Sequence, residues 1–177
     1  MKIIKMEKPN QIEYALWNSP MGDILIAKSG DAVVRMILPA KNRKNLIKVL
    51  KEAFEGVNCV EDPSKLKNVI QELDAYFQGN RKTFTQTLAF LSGTPFQQSV
   101  WKALIEVPYG KTKTYGDIAK KVGRPKAFRA VGGANNANPI PIIIPCHRII
   151  GSNGSLVGFG GGLDMKAKLL ELERSVI

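Results

Sequence analysis

The sequence predicts an α+β protein in two parts, an antiparallel sheet with helices over residues 1–90 and a mostly helical domain over residues 91–177. Three features carry that expectation. The early runs are apolar and β-branched and are broken by a Gly-containing turn, helical spacing of apolar residues sets in after residue 45, and Thr94-Pro95-Phe96-Gln97 opens a new helical series just beyond Phe90–Gly93. The composition agrees: 44% hydrophobic and 23% charged residues over 177 positions describe a folded chain with enough apolar material for a sizeable core.

Ile12–Trp17, Gly22–Ala27 and Ala32–Leu38 read as strands, the last two joined by Ser29-Gly30-Asp31 into a hairpin. Asn45–Phe54 then places Leu46, Val49, Leu50 and Phe54 on one helical face. Ser64 caps a second helix whose Leu66, Val69, Ile70, Leu73 and Phe77 face inward until Gly79 stops it.

In the second part Thr94 is an N-cap, Pro95 takes the first helical position and Gln97 completes a capping box. Phe96, Val100, Trp101, Leu104 and Ile105 form its core stripe, and Pro108-Tyr109-Gly110 breaks the helix. Thr114 and Asp117 repeat the cap pattern for a short helix, Tyr115–Val122, ended by Gly123, and Pro125 opens another from Lys126 to Asn136. Only Gly123-Arg124 separates the two, the arrangement of a helix-turn-helix whose second helix enters a DNA groove. That second helix is nearly bare, with Ala127, Ala130, Gly132, Gly133 and Ala134, although an interior glycine costs roughly 1 kcal/mol relative to alanine. Small residues serve tight internal packing and close approach to a partner equally; Arg129, the one long basic projection at its middle, favours a surface role.

The net charge of +11 is unevenly spread, with 14 basic and 10 acidic side chains in residues 1–90 against 12 and 5 in residues 91–177. Within Gly110–Ala130, Lys111, Lys113, Lys120, Lys121, Arg124, Lys126 and Arg129 face Asp117 alone, which suits a polyanion or a solvated cationic face. The longest apolar stretch, Pro139–Pro145, is too short to span a bilayer, and Met1-Lys2-Ile3-Ile4-Lys5 lacks the apolar core of a signal peptide. A soluble, cytoplasmic protein with no membrane partner is expected. Cys59, Cys146 and a single histidine cannot supply the usual tetrahedral zinc ligands, so no metal and no cofactor are expected.

Ile144-Pro145-Cys146-His147-Arg148-Ile149 brings one of two cysteines beside the only histidine. The residues themselves allow a sulfur nucleophile next to an imidazole, or a buried thiol beside a satisfied histidine. The wider pattern is more specific. Pro125-Lys126-Ala127-Phe128-Arg129-Ala130-Val131-Gly132-Gly133-Ala134, Asn138-Pro139-Ile140-Pro141 and Ile144-Pro145-Cys146-His147-Arg148, with Val100-Trp101-Lys102, Tyr115, Gly151-Ser152 and Gly161-Gly162-Leu163, resemble the O6-alkylguanine-DNA alkyltransferase family from about Phe96 to Glu173. The first 90 residues match that family only in general character.

The resemblance implies a two-domain protein, its first part a ribonuclease H-like fold without that fold's carboxylate site and its second a winged-helix-like domain. It implies DNA repair by direct reversal: the alkylated guanine of duplex DNA is flipped out and its O6-alkyl group passes irreversibly to Cys146, with O4-alkylthymine a second candidate substrate. By the same resemblance Glu173 orients His147, which draws on a water next to the thiol, and Tyr115 donates to the purine ring. Ser152 and the amide near Gly160 complete a pocket walled by Pro141 and Phe159, and the Cys146 carbonyl accepts from the exocyclic amine. Arg129 fills the gap left by the flipped nucleotide. Tyr115, Gly116, Arg124, Lys126, Arg129 and Ser152 contact DNA, Asn138 is a hinge, and the protein acts as a monomer.

Displacement at an unactivated alkyl carbon calls for a soft nucleophile. A free thiol, with a pKa of about 8.5, is mostly protonated at neutral pH, so a neighbouring base or positive field is expected to raise the thiolate fraction. Asn135 and Asn136 depart from the larger or basic residues some members carry at the recognition-helix end, and Phe159 stands where others have tyrosine. Three other readings remain: a non-enzymatic damage sensor, which the presence of Cys146 opposes; a helix-turn-helix regulator, which lacks an evident dimerisation or ligand segment; and a Cys–His hydrolase, which does not account for the basic helix pair.

Overall fold

Six strands in the order β1-β6-β4-β3-β2-β5 form the sheet of the computed structural model, which describes residues 1–39 and 43–175. The strands are β1 (Lys2–Ile4), β2 (Gln11–Ser19), β3 (Gly22–Ser29), β4 (Ala32–Ile37), β5 (Asn58–Glu61) and β6 (Thr87–Ala89). The chain divides into two compact units, Met1–Leu91 and Ser92–Ile177.

The central β2-β3-β4 meander is antiparallel, as expected, but the sheet as a whole is mixed: β1 pairs with β6, β6 with β4, and β5 with β2, all in parallel. Helix α1 (Arg43–Ala53) is the reason on one side, because it carries the chain from β4 to the opposite edge, where β5 enters alongside β2. Strands of three and four residues are too short to show alternation in sequence, and β5 is mostly exposed.

One face of the sheet supplies Ile12, Tyr14, Leu25, Ala27, Ala32, Val34 and Ala89 to a core that α1 completes with Leu46 and Leu50. Val49 does not join it and stays 39% exposed. The buried stripe of α1 runs through Leu46, Leu50 and the half-buried Ile47 and Phe54, and at 3.6 residues per turn Val49 falls on its flank.

The next helical segment begins with a 310 turn, Pro63–Leu66, whose cap is Asp62 rather than Ser64: the Asp62 carboxylate accepts from the Ser64 amide at 3.0 Å and from its hydroxyl. Helix α2 (Lys67–Phe77) buries Val69, Glu72, Leu73 and Tyr76, leaving Ile70 and Phe77 half-buried. Trp17 Nε1 donates to Asp74 at 3.1 Å and ties the helix to β2.

In the second unit α3 (Pro95–Ile105) opens on the expected capping box. Gln97 N–H donates to the Thr94 hydroxyl at 3.2 Å, and Thr94 N–H to the Gln97 side chain at 2.8 Å. A second box, Thr114 with Asp117, starts α4 (Tyr115–Lys121) directly after β7 (Lys113–Thr114). Helix α5 spans Phe128–Asn136, so the connection is the six residues 122–127 and not Gly123-Arg124. Gly123, at φ +73°, ends α4 as Arg124 N–H returns to the Ala119 carbonyl. Pro125 then disfavours a helical Arg124, and a turn closed by Ala127 N–H to the Arg124 carbonyl at 2.9 Å intervenes. β8 (Ile149–Ile150) pairs in parallel with β7, and α6 (Leu163–Ser175) closes the unit. No helix among the described residues is long and apolar enough to cross a membrane.

The Thr94 cap is separable from the site. Thr94→Ala should lower stability by about 1 kcal/mol, read as a reduced urea midpoint at unchanged slope.

Candidate active site and nucleic-acid interface

The segment that carries Cys146 is buried from Pro139 to Ile149. It folds back through a tight turn in which Pro141 and Ile144 form a bridge, Ile144 N–H returns to the Ile140 carbonyl at 2.9 Å, and Ile142 holds φ at +74°. A β-branched residue in that region is strained by roughly 1–3 kcal/mol, and its fully buried side chain is what holds it there. Asn138 clamps the turn with both ends of its amide, donating to the Ile144 carbonyl at 2.9 Å and accepting from Ile140 N–H at 3.0 Å. Cys146–Arg148 follow as a single 310 turn.

His147 and Arg148 leave this turn toward Glu173 on α6. His147 Nε2 lies 2.8 Å from the carboxylate, Arg148 donates to it through Nε and Nη2 at 2.9–3.1 Å, and Gly110 N–H adds a bond at 3.0 Å. Arg148 also donates to the Val107 carbonyl at 2.6 Å. Burial alone would raise the Glu173 pKa, yet hydrogen bonds and charge from His147 and Arg148 bring it down to about 2. An ionised carboxylate only accepts, so Nε2 carries its proton and Nδ1 is the basic nitrogen of a neutral ring. Burial lowers the His147 pKa and keeps the ring neutral, with Glu173 pulling the other way.

Cys146 is 5% exposed. Burial pushes its thiol up to about 11, and the Asn138 amide and the Lys166 cation offset this only in part. The expectation of a raised thiolate fraction is therefore corrected: desolvation outweighs the polar neighbours, and in the DNA-free protein the sulfur holds its proton.

Lys166, fully buried on α6, was not singled out from the sequence. Its ammonium donates to the carbonyls of Ile149 at 2.5 Å, Val157 at 2.7 Å and Gly158 at 3.3 Å, and burial brings its pKa down to about 8. A helical wheel could have found it, since Lys166 lies two turns before Glu173 on the same face as Leu169 and Leu170. Asn135 was noted only as a departure. It is buried on α5 and donates to the Cys146 carbonyl at 3.4 Å.

Tyr115, half-buried at the start of α4, donates to the Val157 carbonyl at 3.0 Å. Burial raises the phenol's pKa, and the Asn135 amide beside it pulls the other way. Phe159 stands edge-on to His147, ring centroids 6.4 Å apart, and Pro141 is buried in the nucleophile turn. The structure thus gathers Cys146, His147, Glu173, Tyr115, Asn138, Pro141 and Phe159 around one turn. Ser152, Gly160, Arg124, Lys126 and Arg129 are exposed, and Gly116 is half-exposed. Arg129 lies over the ring of Phe128, which is 50% exposed, and Arg124 lies over Phe96. Among the described residues no three His, Cys, Asp or Glu side chains are grouped to hold a metal.

Residues 95–175 match the family described as "6-O-methylguanine DNA methyltransferase, DNA binding domain", and residues 12–90 match its "ribonuclease-like domain". A methylated-DNA--protein-cysteine methyltransferase of Methanosarcina acetivorans is 48% identical over 162 residues, covering 92% of this chain and 98% of that one. The crystal structure of the Mycobacterium tuberculosis O6-methylguanine methyltransferase is similar with a TM-score of 0.81 at 40% identity over 94% of both chains. A second structure from that organism, in complex with DNA, is similar with a TM-score of 0.78 at the same identity and coverage.

The buried ionic cluster sets the acid limit of stability. Glu173, with a folded pKa of about 2 against an ordinary 4.5, contributes stability that is present above 4.5 and lost as pH falls toward 2. His147, lowered from 6.5, loses stability in the same direction once the pH drops below 6.5. Glu173→Gln should cost about 3 kcal/mol at pH 7, by stranding buried Arg148, and its deficit should shrink toward pH 3 in urea titrations at a series of pH values.

Proposed function

The chain belongs to the 6-O-methylguanine DNA methyltransferase family, and from that premise we propose that it repairs alkylated DNA by direct reversal, with Cys146 as the acceptor of the alkyl group. The single observation that carries the residue assignment is the buried chain from the nucleophile turn through His147 to Glu173, pinned by Arg148. Sulfur attacks the alkyl carbon, an S–C bond forms as the C–O6 bond breaks, and the electron pair passes to the guanine, which takes up a proton from water in exchange for the one the thiol releases. The thiol's own proton must leave as this happens, because the resting sulfur is protonated. Neutral His147 receives it through an intervening water, and the Glu173 carboxylate 2.8 Å away stabilises the imidazolium. The thioether product has no easily hydrolysed bond, so each molecule reacts once.

DNA is engaged by the exposed basic surface of the second unit. Arg124, Lys126 and the region of Gly116 hold phosphates, and Arg129, with its guanidinium over the Phe128 ring, enters the space left by the flipped nucleotide. Base extrusion costs a few kcal/mol, which such filling offsets in part. Tyr115 turns from the Val157 carbonyl to the purine, and Ser152 and the Gly160 amide close the pocket against Pro141 and Phe159. Asn138, tied to both ends of the strained turn, acts as the hinge between α5 and the nucleophile. The first unit is taken as ribonuclease H-like, the second as winged-helix-like, and the protein as an intracellular monomer acting on O6-alkylguanine in duplex DNA.

After incubation with duplex containing O6-methylguanine, mass spectrometry should find one methyl group on the Cys146 peptide and guanine restored in the DNA. Cys146→Ser should still bind the duplex and transfer nothing. An unmodified Cys146 after complete demethylation of the duplex would reject the assignment. Arg129→Ala should slow the duplex reaction about a hundredfold more than the reaction with free O6-methylguanine, a ratio that reports extrusion rather than chemistry.

A further inference from the structure

Asn135 has no part in the mechanism above, and its side chain carries an acceptor that the fold leaves over. The residue is 8% exposed, near the end of α5. Its Nδ2 donates to the Cys146 carbonyl, which fixes how the amide is turned, since the reverse assignment would set two acceptors against each other. Oδ1 is then buried with no hydrogen-bond donor among the described residues. Folded proteins leave few such atoms. The amide also lies beside the Tyr115 phenol, and Gly132, three residues earlier on the same helix face, is near enough that an added Cβ would stand 3.8 Å from the Tyr115 ring. The amide that carries the unused acceptor therefore adjoins both the nucleophile's carbonyl and the phenol.

We propose that Asn135 Oδ1 accepts a hydrogen bond from the exocyclic 2-amino group of the flipped base, which makes Asn135 a specificity-determining residue for guanine. The inference rests on the reading of Cys146 given above. O6-alkylguanine presents two N–H donors on that amino group, one for the Cys146 carbonyl and one for Asn135 Oδ1. A purine without the amino group offers neither and leaves Asn135 Oδ1 desolvated and unpaired, and a site built to hydrogen-bond an N–H rejects analogues that lack it. Asn135 is suited to this because its Nδ2 bond to the Cys146 carbonyl orients the amide and leaves Oδ1 as its unused acceptor.

The test compares single-turnover transfer from duplexes carrying O6-methylguanine or O6-methylhypoxanthine, which is the same base without the amino group. The unaltered protein should prefer the guanine duplex by about thirtyfold, and Asn135→Leu should narrow the preference to about threefold. Asn135→Asp, which keeps an acceptor oxygen, should retain most of the preference although both rates fall. Equal slowing of the two duplexes by Asn135→Leu would overturn the proposal, since Asn135 would then only support Tyr115 or the nucleophile turn. Absence of a preference in the unaltered protein would overturn it without recourse to any variant. If the protein transfers no alkyl group at all, the reading of Cys146 fails separately, and the relative affinity of Cys146→Ser for the two duplexes decides: a guanine preference supports the Asn135 contact and equal affinity rejects it.

Discussion

A single carboxylate holds the chemistry of the second unit in place. Glu173 receives hydrogen bonds from His147, Arg148 and the Gly110 amide, three groups that belong to two separate stretches of chain. A buried anion is tolerated only with such a set around it, and removing one partner strands the others. The same bonds determine geometry. They fix the proton on Nε2 of His147, pin the 310 turn that presents Cys146, and anchor the Pro108-Tyr109-Gly110 turn three residues before β7, which leads directly into Tyr115. His147, Cys146 and Tyr115 thus share one reference point.

Burial of the sulfur follows a different logic. A thiolate maintained at all times would be open to oxidation and to stray electrophiles, whereas a desolvated thiol is inert until its proton has somewhere to go. Lys166 lies close enough to offset part of that desolvation but spends its donors on three carbonyls. One of these, Val157, also accepts from Tyr115. The Val157 carbonyl therefore does not depend on Tyr115 alone for its hydrogen bonding.

What could be read in the sequence divides along the same physical lines. The three central strands and both capping boxes were legible because alternation and caps are local signals. Strands β1, β5 and β6 were not, since pairing in parallel depends on crossovers that no local pattern records. Asp62 displaced Ser64 as a cap, and the helix–helix turn grew to six residues, because a proline and a 310 turn each shift a helix start by a few positions. Cys146 and His147 stood out by rarity. Glu173 entered only through family resemblance, as its surroundings look like an ordinary helix end, and Lys166 was missed because a lysine among leucines reads as solvated. The protonated state of the sulfur could not be foreseen at all, for desolvation belongs to the folded environment and not to the residue.

Helix α5 is anchored on one face only. Its exposed face is nearly bare, with Ala130 and Gly133 open to a partner, while its other face is tied into the protein at consecutive residues: the Ala134 carbonyl accepts from Trp101 Nε1 at 2.7 Å, and Asn135 reaches the Cys146 carbonyl. Glycine weakens a helix interior, so α5 depends on these anchors more than an alanine- or leucine-rich helix would. The Trp101 bond ties α5 to α3, and the Asn135 bond, with the Asn138 clamp a few residues on, ties its end to the turn that carries Cys146. The small side chains that leave one face of α5 bare are the same ones that make the helix reliant on α3 and the Cys146 turn for its stability.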